Sequence, residues 1–359
     1  MSDKSKIFSL FQEFSEEQKT ELEIDRNINS DVLLVDGMNT FMRVWSMYPT
    51  TNDNGDHIGG YTGFLKSIGH AIRLRKPTRC ILIFDGKGGS TRRRKIFPDY
   101  KMKKNVRFRV NRALSLDLNQ NEESSSMKSQ IVKLIEYLNM LPVTTICMDN
   151  VEADDVIALL ARSYFSGLGK KCTIMSTDKD FLQLVNEDVT VYSPTKRTVY
   201  TPEKVSLEYG IHPNNFLLYR TIDGDRGDNI EGIKGVGEKK LKTAFPELST
   251  EVKLSVDDLL KISEEKKKEM PLYKNFLKEE NQSLLKRNHD LMQLVDSILP
   301  TSMQTKIFDH VDSPVSELNK FEFSKKCAED QLWAAFPNHH NWLMETWTIL
   351  NNYAISSQS

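Results

Sequence analysis

At 359 residues, with 39% hydrophobic and 28% charged residues and a net charge of −1, the chain has room for two domains, or one large domain with additions, and can bury a sizeable core. No stretch approaches the roughly 18 apolar residues of a membrane span, and the N-terminus lacks a basic-then-apolar signal pattern, so a soluble cytoplasmic protein is expected. Cys80, Cys147, Cys172 and Cys327 share no CxxC spacing, and the first three fall in strand-like runs; buried reduced thiols are expected rather than disulfides or zinc ligands.

Residues 1–30 are polar, with Ile7, Phe8, Leu10, Phe11 and Phe14 at roughly helical spacing, and read as a short amphipathic helix plus linker. From residue 31 the pattern is α/β. "DVLLVDGMN" is a buried strand running into Asp36, and "RCILIFDGKGG" repeats the design with Asp85 at the strand end. "VTTICMD" (143–149) is a third strand, and it feeds the helix opened by "VEADD" (151–155). "KCTIMSTDKDFLQLV" is a fourth strand, ending near Thr177, followed by a helix. These runs are continuous rather than alternating, as strands covered on both faces of a mostly parallel sheet require. "VTVYSPTKRTVY" reads as a hairpin, with a helix after it capped by Thr201 and begun by Pro202.

Beyond it, 203–245 reads as short helices punctuated by "GDRGDN" and "GIKGVGEKK", 247–272 as a charged irregular stretch, and "NFLKEENQSLLKRNHDLMQLV" as one long helix. "NQNEESSS" (119–126) reads as a mobile loop. Residues 300–359 hold Trp333, Trp342 and Trp347; this tail either packs on the core or docks a partner. His339 and His340 lack Cys or acid partners at ligand spacing and read as surface residues.

Two charge features stand out. Between Lys87 and Arg112 there are eleven Lys or Arg against one acid, Asp99, so the remainder of this near-neutral chain is acidic. Such polarisation suits a polyanion held beside an acidic, metal-binding centre. The second feature is where the acids fall. In a parallel sheet, ligands gather beyond the carboxyl ends of the strands. Asp36 and Asp85 close two strands, Glu152, Asp154 and Asp155 open the helix after the third, and Asp178 and Asp180 follow the fourth. Asp225 and Asp228 bring the set to nine. Two like charges ~4 Å apart repel by ~4 kcal/mol even at an effective dielectric of ~20. Nine carboxylates on one edge therefore call for hard cations such as Mg²⁺, which in pairs stabilise attacking and leaving oxygens in phosphodiester cleavage. Taken alone, "TDKD" also fits a capping box, with Thr177 as cap and Asp180 at the third helical position.

"GIKGVGEKK" (232–240) is not a P-loop, because no Lys follows Gly237 directly, and no strand precedes it as a dinucleotide fold requires. Gly235 and Gly237 would let backbone N–H groups approach a phosphate, and Lys234, Lys239 and Lys240 add charge. The alternative is an ordinary helix–turn–helix corner.

"LLVDGMN", "IFDGKGGSTRRRKIFPDYK", "VEADDVIA", "STDKDFLQL" and "DGDRGDNIEGIKGVGEKK" occur in this order, and the chain resembles the 5′-nuclease (flap endonuclease) superfamily, most closely the bacteriophage 5′–3′ exonuclease and RNase H type. The resemblance covers about 31–245 and continues more weakly to about 296. It implies a PIN-like mostly parallel sheet flanked by helices, a helical arch at about 87–125, a helix–hairpin–helix element, and Mg²⁺-dependent hydrolysis, with Mn²⁺ able to substitute. The implied organisation is an N-terminal extension (1–30), a nuclease domain (31–205), a helix–hairpin–helix region (206–299) and a tail (300–359).

Carried over residue by residue, the nine acids match the metal-site acids; the resemblance does not say which acid of "GDRGDN" lies closer to metal. Lys101 matches the lysine near the scissile phosphate, and Lys104 stands where the family often has an arginine. A lysine lacks the bidentate fork of arginine. Arg92, Arg93 and Lys103 in the basic span are expected to contact DNA; Tyr100 and Phe108 either stack on bases or pack the arch. The family also suggests K⁺ on the hairpin carbonyls.

The expected substrates are DNA and RNA–DNA hybrids with 5′ ends, in primer and flap removal during phage or bacterial replication. The expected state is a monomer, with a single-strand binding protein or clamp as a possible partner. Two other readings are a nuclease-dead DNA-binding module of the same fold, against which no acid is missing, and a PIN-type ribonuclease, which needs neither arch nor glycine hairpin.

Overall fold

The apolar runs become the strands of one six-stranded sheet, in a computed structural model that describes residues 31–48, 50–102, 120–294 and 299–358. Strand β1 (Val32–Asp36) passes directly into helix α1 (Gly37–Met47), then α2 (Gly59–Arg75), β2 (Arg79–Asp85) and a short α3 (Thr91–Ile96). Next come α4 (Gln120–Leu138), β3 (Thr144–Met148), α5 (Ala153–Leu159, with a π-helical turn over Leu160–Phe165) and β4 (Cys172–Met175). A 3₁₀ turn (Lys179–Leu184) precedes β5 (Val189–Ser193), β6 (Thr198–Tyr200), α6 (Pro202–Tyr209) and α7 (Phe216–Asp223). The small ribbon β7 (Gly224–Asp225) and β8 (Ile230–Glu231) leads to α8 (Glu238–Ala244), α9 (Val256–Glu265), α10 (Pro271–Phe276) and α11 (Glu279–Met292). Helices α12 (Thr301–Asp312), α13 (Lys320–Glu329) and α14 (His339–Gln358) complete the chain.

The sheet order is β3-β2-β1-β4-β5-β6, parallel except for β6. The order turns back at β1, flanked by β2 and β4, so the carboxyl end of β1 is the switch point at which such sheets bind ligands. Alternate residues of each strand enter opposite cores. Leu34, Ile81, Ile83 and Ile174 pack under α5 and α7; Leu33, Val35, Leu82 and Met175 pack under α1, α2 and α4. Two faces buried at once is why the strands read as unbroken apolar runs. The two Asp-Gly strand ends have a steric cause: a Cβ on Gly37 would lie 2.6 Å from the Phe84 ring, and one on Gly86 would lie 1.8 Å from the Met148 carbonyl oxygen.

Several expectations need correction. The stretch 119–126 is not a loop: from Gln120 it is the first turns of α4, carried by the apolar positions that follow and by Glu122 and Glu123 in the first turn. The irregular stretch 247–272 contains α9, started by a full capping box between Ser255 and Asp258. The single long helix is two, α10 and α11, with Lys278 in extended conformation between them. Cys147 is exposed, because β3 is an edge strand. The hairpin β5–β6 and the Thr201 cap with Pro202 stand as expected.

In the tail, Phe323, Cys327, Leu332, Phe336, Leu343, Trp347 and Leu350 are buried in the same core as α2 and the strands, and Trp342 packs against it. Asp330 ties this tail to α4 through Lys133 and the Tyr137 hydroxyl. Among the described residues, then, the tail packs, while Trp333 remains half exposed. No helix among the described residues is long and apolar enough to cross a membrane. The reading of residues 1–30 lies outside the described residues, as do Lys103, Lys104 and Phe108.

Candidate active site

Each strand end delivers its acid with a local reason for its orientation. The Asp36 carboxylate caps α1, accepting from the Asn39 backbone N–H at 3.2 Å, and also accepts from the Ser176 hydroxyl at 2.9 Å. The Asn39 side-chain oxygen accepts from the Thr177 N–H (3.1 Å) and hydroxyl (2.8 Å), which stitches the turn after β1 to the turn after β4. Asp85 accepts from the Ala153 N–H at 2.8 Å, so the acid ending β2 caps the helix that bears Asp154 and Asp155. Asp178, not Thr177, caps the 3₁₀ turn, accepting from the Asp180 N–H at 2.8 Å; the Thr177 hydroxyl is already engaged by Asn39.

Two buried arginines then sort the acids. Arg93 of α3 makes a bidentate pair with Asp155, both contacts at 2.9 Å, and also binds Glu152. Its Nε donates to the Leu291 carbonyl at 2.8 Å. Arg220 of α7 pairs with Asp180 (2.5 Å) and Asp225 (2.6 Å) and reaches Asp223 at 3.6 Å. Lys101 adds a 2.8 Å pair to Glu152. Burial pushes the Glu152 carboxyl up, but Arg93 and Lys101 together hold it below the usual range.

The other acids have no such partner. Among the described residues Asp36, Asp85, Asp154, Asp178 and Asp228 form no salt bridge. Burial, with Asp178 and Asp85 nearby, pushes Asp36 up to about 7. Asp154 is raised by burial and then by Asp36, and Asp178 by burial and the facing Asp225. Asp228 rises to about 6 through burial, although Lys101 opposes the shift. Even Asp180, beside Arg220, is pushed to about 7 by burial and by Asp178.

A crowd of half-buried oxygens resisting ionisation is what a hard divalent cation relieves, so this donor set fits such an ion. No three His, Cys, Asp or Glu side chains among the described residues are already drawn together as a cage; several acids lean instead on Arg93, Lys101 and Arg220.

Lys101 faces this crowd from a left-handed backbone, φ 50°. Its N–H donates to the Asp228 carbonyl at 3.0 Å, and Asp154, Asp228 and Glu152 hold its ammonium firmly charged against the opposing effect of burial. Two expected DNA contacts are buried among the described residues: Arg93 lies against its carboxylate partners, and Tyr100 packs with its hydroxyl 3.2 Å from a carboxylate oxygen of both Glu152 and Asp228. Arg92 stays partly exposed, 3.5 Å from Asp155.

At the hairpin, Lys234, Lys239 and Lys240 are exposed, and a Cβ on Gly235 or Gly237 would meet nothing within 4 Å, so that backbone is open to approach. Gly235 has φ +79°, and the Lys240 ammonium donates to its carbonyl at 3.3 Å.

Sequence reasoning missed Arg220. The available signal was a lone cation inside the apolar helical run "FLLYRTI", where a buried charge must have a partner.

The model of the family "5′-3′ exonuclease, N-terminal resolvase-like domain" matches residues 31–210. A 5′-3′ exonuclease of Aquifex aeolicus (strain VF5) is 31% identical over 259 residues, covering 72% of this chain and 82% of that protein. DNA polymerase I of Bacillus subtilis (strain 168) is 28% identical over 235 residues, 64% of this chain but only 25% of the polymerase. Among solved structures, the T5 5′-exonuclease with divalent metal ions (zinc) bound aligns with a TM-score of 0.55 at 20% identity, covering 84% of this chain and 99% of that one. At that identity the likeness is one of fold.

Proposed function

The chain belongs to the 5′-3′ exonuclease family, and from that premise we propose that it is a structure-specific 5′-nuclease, cutting phosphodiesters near the 5′ ends of branched or nicked duplexes. The observation that carries this reading is the cluster of Asp36, Asp154, Asp178 and Asp228 near Lys101, carboxylates that form no salt bridge among the described residues. These four, with Asp85, Glu152, Asp155, Asp180 and Asp225 around them, would hold two or more divalent ions, Mg²⁺ or in its place Mn²⁺. When bound, such ions stabilise charge on the phosphoryl oxygens and make water a stronger nucleophile.

Lys101 would supply a fixed positive charge for the scissile phosphate at little cost in reorganisation, because Glu152 already holds its ammonium and the Asp228 carbonyl its backbone N–H. Lys104 would add a second charge, and Arg92 and Lys103 would steer the incoming strand. Gly235 and Gly237 would offer backbone N–H groups, and Lys234, Lys239 and Lys240 charge, to duplex phosphates; K⁺ on the hairpin carbonyls belongs to the same reading.

The organisation we propose is a nuclease domain over 31–205 with an arch at about 87–125, a helix–hairpin–helix region over 206–299, and a tail over 300–359. The enzyme would act as a monomer in the cytoplasm on DNA and RNA–DNA hybrids during replication and repair, and the exposed Phe321 and Trp333 offer a single-strand binding protein or clamp a place to dock. The test uses labelled flap, nicked and single-stranded RNA substrates with and without Mg²⁺. Metal-dependent cutting of branched duplexes supports the proposal. Binding without cleavage supports a nuclease-dead module, and preference for single-stranded RNA supports a ribonuclease.

Replacing Lys239 and Lys240 with Ala should weaken binding to all duplex sequences alike and flatten the salt dependence of affinity by roughly one log–log unit per lost phosphate contact. An unchanged salt slope in fluorescence-anisotropy titrations would remove these lysines from the interface.

A further inference from the structure

The loop that carries Lys101 is seated on the far half of the chain. The Tyr100 N–H donates to the Phe97 carbonyl at 2.9 Å and closes a turn, and the Asn229 side chain donates to the Asp99 carbonyl at 3.1 Å. Tyr100 shares a small separate core with Leu217, Ile230, Leu291 and Met292, and Phe97 packs against it. Over the Phe97 ring lies the guanidinium of Arg287 from α11, 4.4 Å from the ring centre.

Arg287 is itself fixed. Its Nε and a terminal nitrogen donate to the Asn288 side-chain oxygen at 3.3 and 3.0 Å. Asn288 is wholly buried and donates in turn to the carbonyls of Thr221 (3.0 Å) and Glu231 (2.7 Å), at the end of α7 and in β8. A continuous line of contacts thus runs from the helix–hairpin–helix region through Asn288 and Arg287 to Phe97, four residues before Lys101. Lys101 needs such support, since a left-handed lysine backbone persists only where its surroundings over-determine it.

We infer that Arg287 is a positioning residue for Lys101: stacked on Phe97 and braced by Asn288, it keeps the Lys101 loop in register with the region that engages the duplex. This rests on the reading of Lys101 as the phosphate-facing cation. Arg287 does not touch the acids; its effect passes through the loop, and misplacing a reacting group by about 1 Å can cost up to ~100-fold in rate.

The experiment compares full-length wild type with Arg287→Ala, Arg287→Lys, Phe97→Leu, Lys101→Ala and the Lys101→Ala/Arg287→Ala double variant. Each is measured for single-turnover cleavage of a saturating flap substrate with Mg²⁺, for affinity in Ca²⁺, and for thermal midpoint. Arg287→Ala should cut the single-turnover rate roughly 10- to 100-fold while affinity and midpoint stay at wild-type values. Arg287→Lys should recover part of the rate, because a cation over the ring is retained. Phe97→Leu, which keeps apolar bulk but removes the ring face, should resemble Arg287→Ala.

The double variant should be no slower than Lys101→Ala alone, the signature of one residue acting through the other. Lost affinity with an unchanged rate would overturn the proposal by making Arg287 a DNA contact. Fully additive losses would overturn it too. A wild-type rate in Lys101→Ala would instead overturn the role given to Lys101, an outcome distinguishable from failure at Arg287 alone.

Discussion

Asp154→Asn is expected to lower cleavage by two or more orders of magnitude while leaving the protein as stable as wild type or more so. The loss follows from the chemistry: a bound metal stabilises transition-state charge by several kcal/mol, and each ~1.4 kcal/mol is tenfold in rate. The stability follows from the surroundings. Asp154 forms no ion pair among the described residues, and its charged form is disfavoured by burial and by Asp36 and Asp178. An amide of the same shape removes that repulsion. The neighbouring Asp155→Asn gives a different signature, because Asp155 holds Arg93 through two 2.9 Å contacts, and weakening that pair leaves a buried guanidinium short of charge. Single-turnover flap cleavage, binding in Ca²⁺ and thermal melting on both variants read the contrast. Near-normal cleavage by Asp154→Asn would sink the metal-site reading of this helix.

Arg220→Met should produce the largest loss of stability, about 3–5 kcal/mol, the usual consequence of leaving a buried charge without its partner. Methionine fills much of the same volume, so the effect reports charge rather than a cavity. Asp180 and Asp225, both within 2.6 Å of the guanidinium, would face each other and Asp178 without a cation. Divalent ions should then stabilise the variant more than the wild type, since a ligand that binds only the native state raises stability with its concentration. Chemical denaturation with and without Mg²⁺ measures both effects. A metal-free midpoint equal to that of wild type would show that Arg220 does not neutralise this lobe.

What was legible in the sequence follows a physical division. Asp36 and Asp85 could be placed on the site because each closes an apolar run and precedes a glycine that close packing demands. The acids of the 151–155 segment could be placed because a strand must deliver them to the same edge. The pairing of those acids could not. Arg93 meets Asp155 across 62 residues and Arg220 meets Asp180 across 40, and no local periodicity records such contacts. Tyr100 looked available for stacking because its run is basic, yet its ring fills a core assembled from segments more than a hundred residues away. The helix at 256–265 is hidden for the opposite reason: its charged exposed face masks Val256 and Leu259, the apolar positions beside its capping box at Ser255 and Asp258.

The placement of the tail sets a schedule. Arg73 on α2 bonds Thr346 at 2.5 Å, 273 residues later, and the core under α2 and α4 is completed by Phe323, Phe336, Leu343 and Trp347. Chains emerge from the ribosome at about 5–20 residues per second, so the first helices of the nuclease wait many seconds for the surface that covers them. A nascent chain stalled before residue 320 keeps that apolar face open, with the β1 end resting on an unfinished core. Ribosome-arrested chains of increasing length should therefore resist protease, and begin to cut DNA, only once residues 320–350 have emerged.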